Sequence, residues 1–257
     1  DCTIVITTFH SGDKLEKCLR NIPDKYKKLI IDNGGEIKKK EYFEKKFPNL
    51  IYYVSNENLG VPSSYSLANK IVNTRFMFNT QPDVVVKKNC IENLLKKINQ
   101  YPKFAILSPT IFHNGKYIVE GDYKVLKIKG KKFIKNIKNK LNISHIKPPE
   151  GDLSVDAVTG TAMLIDREKI KDVNDWDTKI FNYFEDMDLC LRLRFKGYDI
   201  IKIRDAEVDH DPFASHDISF NKDMDFSRNW HYSWSSYYFL KKHTSIFNSL
   251  TYGIKIL

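Results

Sequence analysis

Along the first hundred residues, apolar positions follow two alternating rhythms. Short β-rich runs at 3–7, 29–31, 51–54, 76–78 and 104–107 each predict a strand buried in a sheet. Between them apolar residues recur at helical spacing. Leu15, Cys18, Leu19 and Ile22 follow the first run, and residues 38–46, 62–72 and 88–98 predict three further helices. Turn-forming groups punctuate the pattern: Asp32-Asn33-Gly34-Gly35, Asn58-Leu59-Gly60 and Gln81-Pro82-Asp83. Strand–helix alternation of this kind predicts a mostly parallel sheet covered on both faces. Such sheets bind ligands beyond the carboxyl ends of their strands. Thr8, Asp32, Asn58 and Asp83 each stand just past an apolar run, where such a site would form.

The second half is less regular. Residues 116–150 are basic and poorly periodic, which predicts an insertion. Strands are expected at 155–158 and 162–165, flanking Gly160-Thr161, then at 200–203, with Val208-Asp209-His210 closing the core. Residues 223–244 read as an aromatic helix carrying Phe226, Trp230, Tyr232, Trp234, Tyr237, Tyr238 and Phe239. With no repeat and no flexible linker, the predicted organisation is an α/β catalytic unit over 1–216, including the insertion, and a helical extension over 217–257 packed on it.

Glu185, Asp186 and Asp188 open an apolar, helix-periodic segment. A helix amino terminus stabilises negative charge, so carboxylates there can be held ionised and aimed into a cleft as a base or a metal site. The plainer reading is that they only cap the helix and satisfy its dipole.

Composition adds limits. Hydrophobic residues make up 42% of the chain, enough for a substantial core, and no uninterrupted apolar run reaches the length needed to span a bilayer. No signal peptide is visible. Cys2, Cys18, Cys90 and Cys190 are scattered, without metal-type pairing, and predict reduced, buried thiols in a cytoplasmic protein. The formal charge of +10 predicts an anionic partner. Part of the excess is concentrated in Lys124, Lys127, Lys129, Lys131, Lys132, Lys135, Lys138 and Lys140, interleaved with Ile128, Phe133, Ile134, Ile137 and Leu141. Two readings stay open for this segment: a solvated loop, or an amphipathic element on the anionic inner face of the plasma membrane. Nucleic acid is disfavoured, because no recognised binding motif accompanies the charge.

Taken in order, Ile4-Val5-Ile6-Thr7-Thr8-Phe9, Ile30-Ile31-Asp32-Asn33-Gly34, Asn58-Leu59-Gly60, Gln81-Pro82-Asp83-Val84, Val158-Thr159-Gly160-Thr161-Ala162, Tyr183-Phe184-Glu185-Asp186-Met187-Asp188 and Val208-Asp209-His210 form a recognisable series. The chain resembles the family 2 glycosyltransferases of GT-A fold, especially their rhamnosyltransferase-like branch. The resemblance implies inverting transfer of a sugar from a UDP- or dTDP-sugar to a hydroxyl of a glycan or lipid-linked acceptor. It also implies roles. Thr8 and Phe9 would line the base pocket, and Asp32 would accept a hydrogen bond from the base. Asn58, Gly60 and Gln81 would approach the nucleoside and diphosphate. Gly160 and Thr161 would lie on the sugar side. Asp83 and His210 would hold a magnesium or manganese ion, and Asp186 would be the general base, supported by Glu185 and Asp188. Gln81 departs from the family's Asp-x-Asp metal motif, so one metal-facing carboxylate is missing. His10 and Gly35 also depart, from a usual Asn and a common Ser.

Two other functions compete at this stage. A metal-dependent phosphoester hydrolase could use the same Asp and His inventory, with ligands clustered for two cations. A non-catalytic basic module for membranes or nucleic acid would make Asp186 dispensable.

Overall fold

The computed structural model describes residues 1–119, 147–211, 215, 217, 221–247, 249 and 250. β1 (Cys2–Thr8) is buried along its whole length and sends alternate side chains to opposite faces of the sheet. Ile4 and Ile6 enter one apolar layer, and Val5 enters the other. β2 (Lys27–Asp32), β3 (Leu50–Val54) and β4 (Phe76–Thr80) join it in parallel. The connecting helices α1 (Lys14–Arg20), α2 (Ile37–Lys46) and α3 (Gly60–Ile71) cover both faces. Leu15, Leu19 and Phe43 pack in the first layer, and Tyr65 and Ala68 in the second.

Past β4 the sheet becomes mixed. β5 (Val84–Val86) and α4 (Cys90–Lys97) lead into the long β6 (Phe104–His113), followed by the short β7 (Lys116–Tyr117) and β8 (Leu153–Val155). β9 (Ala162–Asp166) inserts antiparallel between β4 and β6. α5 (Arg167–Lys171), α6 (Glu185–Phe195), β10 (Asp199–His210) and α7 (Asn221–His243) complete the chain. The strand order is β3-β2-β1-β4-β9-β6-β10-β5, with β7 on β6 and β8 on β10. This is the α/β sheet with helices on both faces that the periodicity predicts.

Several local expectations change. Residues 200–203 and 208–210 belong to one strand, β10, which shifts register against β6 between Ile203 and Glu207. The run predicted as a strand over 155–158 leaves the sheet after Val155. β5 and α5 were not foreseen, because three and five residues are too few to show a period. Most of the basic insertion, including Lys124–Lys140, lies outside the described residues. α7 packs against α6 through Phe239 and Leu240, which meet Phe184 and Leu191. Among the described residues no helix is long and apolar enough to cross a membrane.

Candidate active site

Strand direction brings the scattered motifs together. Thr8 pairs with Asp32, and Ile6 with Thr80, so β1, β2 and β4 end at one edge of the sheet. β9 runs the other way, with Ala162 opposite Thr80, which delivers Gly160 and Thr161 to that same edge. The Thr80 hydroxyl donates to the Thr161 carbonyl at 3.2 Å. β10 ends with His210 opposite Val84, beside the loop that carries Asp83. His210 Nε2 and Asp83 Oδ2 are 3.7 Å apart. Gly160 N–H donates to Asp186 Oδ2 at 2.8 Å and ties the start of α6 to the group. Burial raises the pKa of Tyr65 in α3; a hydrogen bond with Thr7 lowers it, and the charges of Glu185, Asp186 and Asp83 raise it further.

The three acids at the start of α6 have separate environments. Asp186 is half-buried, and its Oδ1 accepts Met187 N–H at 2.7 Å. Glu185 is 7% exposed, and its Oε2 is buried without a hydrogen-bond partner. Burial, and then the charge of Asp186, pushes its carboxyl well above the ordinary carboxylate range, which favours the protonated form. A Cβ placed on Gly160 would lie 3.7 Å from Glu185 Oε1 and 3.9 Å from Asp186 Oδ2, so both carboxyls adjoin this glycine.

Asp188 stands differently from the support for Asp186 that the motif implied. Residues two apart on a helix point to opposite sides, and Asp188 is fully buried towards α7. It accepts from Arg192 Nε at 2.7 Å and meets His243 Nε2 and Lys242 Nζ, each at 2.7 Å. Burial pushes its pKa up, but the His243 hydrogen bond and the Arg192 and Lys242 charges outweigh this and hold it at about 2. In this structure Asp188 fastens α6 to α7.

The entry to α6 is strained. Tyr183 and Phe184 have φ of 67° and 65°, consecutive left-handed conformations without glycine. Each costs about 1–2 kcal/mol for an L-residue. α7 offsets this by packing: the Phe184 ring meets Tyr232 and Phe239 at centroid distances of 5.3 and 5.5 Å, and Ser235 Oγ donates to the Asn182 carbonyl at 2.7 Å.

Past the end of β1, Thr8 Oγ1 donates to Ser11 Oγ at 2.7 Å, and half-buried Phe9 lies edge-on to His10 with ring centroids 4.5 Å apart. Asp32 is fully buried. Its Oδ1 accepts Gly34 N–H at 2.8 Å and its Oδ2 accepts Glu36 N–H at 2.9 Å, so the carboxylate shapes the loop after β2. Asn58 is exposed and accepts Gly60 N–H at 3.1 Å. Gly60, at φ +72°, has a further constraint: a Cβ there would come within 2.4 Å of the Phe181 carbonyl oxygen. That carbonyl accepts Val61 N–H at 2.8 Å, joining the loop before α3 to the loop before α6. Half-buried Gln81 offers its carbonyl to the Cys18 thiol at 3.5 Å.

The sequence reading did not single out Asn33, Tyr65 or Phe181. Asn33 Nδ2 donates to Ser64 Oγ at 2.9 Å and its Oδ1 accepts Leu59 N–H at 3.2 Å, bridging the first two loops. Its place inside Asp32-Asn33-Gly34-Gly35 was the available signal. Phe181 lies in no motif, and Tyr65 reads as an ordinary core aromatic.

For a cation, Asp83 offers a buried Oδ1 with no hydrogen-bond partner, and His210 lies beside its other oxygen. Hard divalent ions take oxygen ligands, and manganese also accepts imidazole. This pair therefore fits part of a coordination shell. Among the described residues no group of three or more His, Cys, Asp or Glu side chains could hold a metal ion.

A mixed, mostly parallel α/β sheet of this kind is the GT-A fold of glycosyltransferases. The profile of the family described as "Glycosyl transferase family 2" matches residues 3–173, and the chain belongs to that family. It is rhamnosyltransferase-like: it is 25% identical to rhamnosyltransferase WbbL of Escherichia coli (strain K12) over 229 residues, covering 83% of this chain and 84% of that protein. Among solved structures it is similar to GalNAc-T7 with UDP, GalNAc and Mn2+ (14% identity, TM-score 0.61, 81% of this chain and 43% of that one). It is also similar to the mannosyltransferase PcManGT of Pyrobaculum calidifontis with GDP-Man and Mn2+ (13%, 0.60, 90% and 61%). A third similar structure is S. aureus TarS 1-349 (12%, 0.57, 82% and 60%). The chain thus spans about half of these solved proteins, whose likeness bears on the fold. Family membership decides for a transferase over the two competing functions. The profile ends before Glu185, Asp186 and His210.

Proposed function

We propose that the protein is an inverting glycosyltransferase that moves a sugar from a UDP- or dTDP-sugar to a hydroxyl of a glycan or lipid-linked acceptor. Asp186 is its general base. One observation carries this reading: of the three acids at the start of α6, Asp186 is the least buried, and Gly160 N–H, at the sheet edge where Asp83 and His210 also lie, donates to it at 2.8 Å. The acceptor oxygen forms its bond to the anomeric carbon as its proton passes to Asp186. The anomeric C–O bond to the diphosphate breaks, and its electron pair leaves with the nucleoside diphosphate. A base of this kind contributes about 10²- to 10⁴-fold.

Asp83 and His210 would hold a magnesium or manganese ion, which neutralises the leaving diphosphate when bound. Mn2+ in the GalNAc-T7 and PcManGT structures supports this cofactor, and UDP or GDP-Man in the same structures supports a nucleotide-sugar donor. Thr8, Phe9, Asp32, Asn58, Gly60 and Gln81 surround the nucleotide. Asp32 does so through the lone pairs its two backbone hydrogen bonds leave over. Gly160 and Thr161 face the sugar. The acceptor is met at the cytoplasmic membrane face, where the +10 charge of the chain, with the basic segment Lys124–Lys140, favours anionic lipid.

The test is a thermal-shift panel of UDP, dTDP and GDP, with and without Mn2+. At one hundred times Kd a ligand stabilises by about 2.7 kcal/mol, which raises Tm by roughly 5–10 °C for a chain of this size. UDP or dTDP with Mn2+ should give this shift, and Asp83→Asn should abolish its Mn2+-dependent part. No shift with any nucleotide would remove the donor assignment.

A further inference from the structure

α7 buries one side and leaves the other bare. Ser235, Phe239 and Leu240 face inward and are buried, while Phe226, Trp230 and Trp234 are 76, 65 and 48% exposed. At the helical step, these three residues together with Tyr237 and Lys241 fall on one arc about 80° wide. Beyond the helix, Ile246, Phe247 and Leu250 are exposed as well. Six of the fourteen large hydrophobic side chains exposed among the described residues lie in this one terminal stretch. Single exposed apolar residues are ordinary, whereas a contiguous patch marks a contact surface.

Charge and ring chemistry together indicate what covers it. Lys241 lies on this arc, while Lys242 turns inward to Asp177 and Asp188 and Arg228 pairs with Asp225; from Phe226 to Leu257 the chain contains no Asp or Glu, within a molecule of net charge +10. Trp and Tyr pair an apolar ring with a polar edge and favour the headgroup zone of a bilayer, where flanking lysines meet anionic lipid.

We propose that the outward face of α7 is a lipid-contacting surface that seats the protein on an anionic bilayer, with Phe226, Trp230 and Trp234 entering the headgroup zone. The opposite face of the same helix holds Asn182, Phe184 and Asp188. A single element therefore joins the membrane contact to the loop in front of Asp186. This contact is separate from the assignment of the base and from the basic segment Lys124–Lys140.

The test uses the full chain with vesicles of phosphatidylcholine alone and of phosphatidylcholine mixed with phosphatidylglycerol. Flotation and tryptophan emission are read together. Trp176 is 3% exposed, so the emission change comes from Trp230 and Trp234. The chain should float with the anionic vesicles, with blue-shifted emission that weakens as salt is added. A Trp230→Ser, Trp234→Ser double variant should lose about tenfold or more in partitioning, with unchanged Tm and an unchanged nucleotide-induced thermal shift. The proposal is overturned if emission stays unshifted on vesicles that bind, or if the double variant floats as well as the parent. It is equally overturned if sedimentation shows a dimer that the double variant converts to monomer without vesicle binding, because a second copy then covers the face. The nucleotide shift reads the transferase assignment separately in every case.

Discussion

Three carboxyls within four residues behave as three different groups, and their surroundings decide which is which. Asp186 is half-buried and accepts Gly160 N–H, Glu185 is buried beside that charge, and Asp188 is buried among cations. The pH dependence of stability separates the last two. Burial raises the Glu185 pKa, so the folded state binds its proton more tightly than the unfolded chain, where the value is about 4.3. The associated stability is complete below that value and is lost as pH rises through the higher folded-state pKa. Glu185→Gln should remove this loss, so that denaturant midpoints for the variant and the parent diverge in the variant's favour from acid towards neutral pH. Identical midpoint profiles would mean that Glu185 is ionised and solvated in the folded protein.

At the scale of elements, the clamp between α6 and α7 sets the approach to the site. Asp188 draws on Arg192 within its own helix and on Lys242 and His243 of α7. Removing one partner of a buried ionic group leaves the others uncompensated, so Asp188→Asn should cost on the order of 3 kcal/mol by urea titration. Because its folded-state pKa is lowered to about 2, the Asp188 contribution is present above the unfolded value near 4 and disappears as pH falls towards 2. The parent and Asp188→Asn should therefore converge in stability in acid. A difference that persists at low pH would contradict the ion-pair account. How legible these elements were follows from the same physics. The alternation in β1 to β4 and the spacing in α1 to α4 were visible because each element buries one or two faces with a regular period. β5 and α5 are too short for a period. The motif implied support for Asp186 from Asp188, and its partners Lys242 and His243 could not be read there because they belong to α7, distant in the chain. The constraint on Gly60 was hidden because the atom that needs the space belongs to Phe181, distant in the chain.

At the scale of the molecule, the gathering of these residues at one sheet edge is a product of strand direction. Parallel β1, β2 and β4 bring Thr8, Asp32 and Gln81 to one edge, and antiparallel β9 returns Gly160 to it. The motif order in the sequence pointed to these residues, but their spacing could not say that Asn33 ties two loops together or that α7 braces the entry to α6. The most direct measurement is steady-state release of nucleoside diphosphate from the donor selected by the thermal-shift panel, comparing the parent with Asp186→Asn. The account predicts that kcat falls by about 10²- to 10⁴-fold while Tm and nucleotide Kd stay unchanged. Full turnover in Asp186→Asn would contradict it.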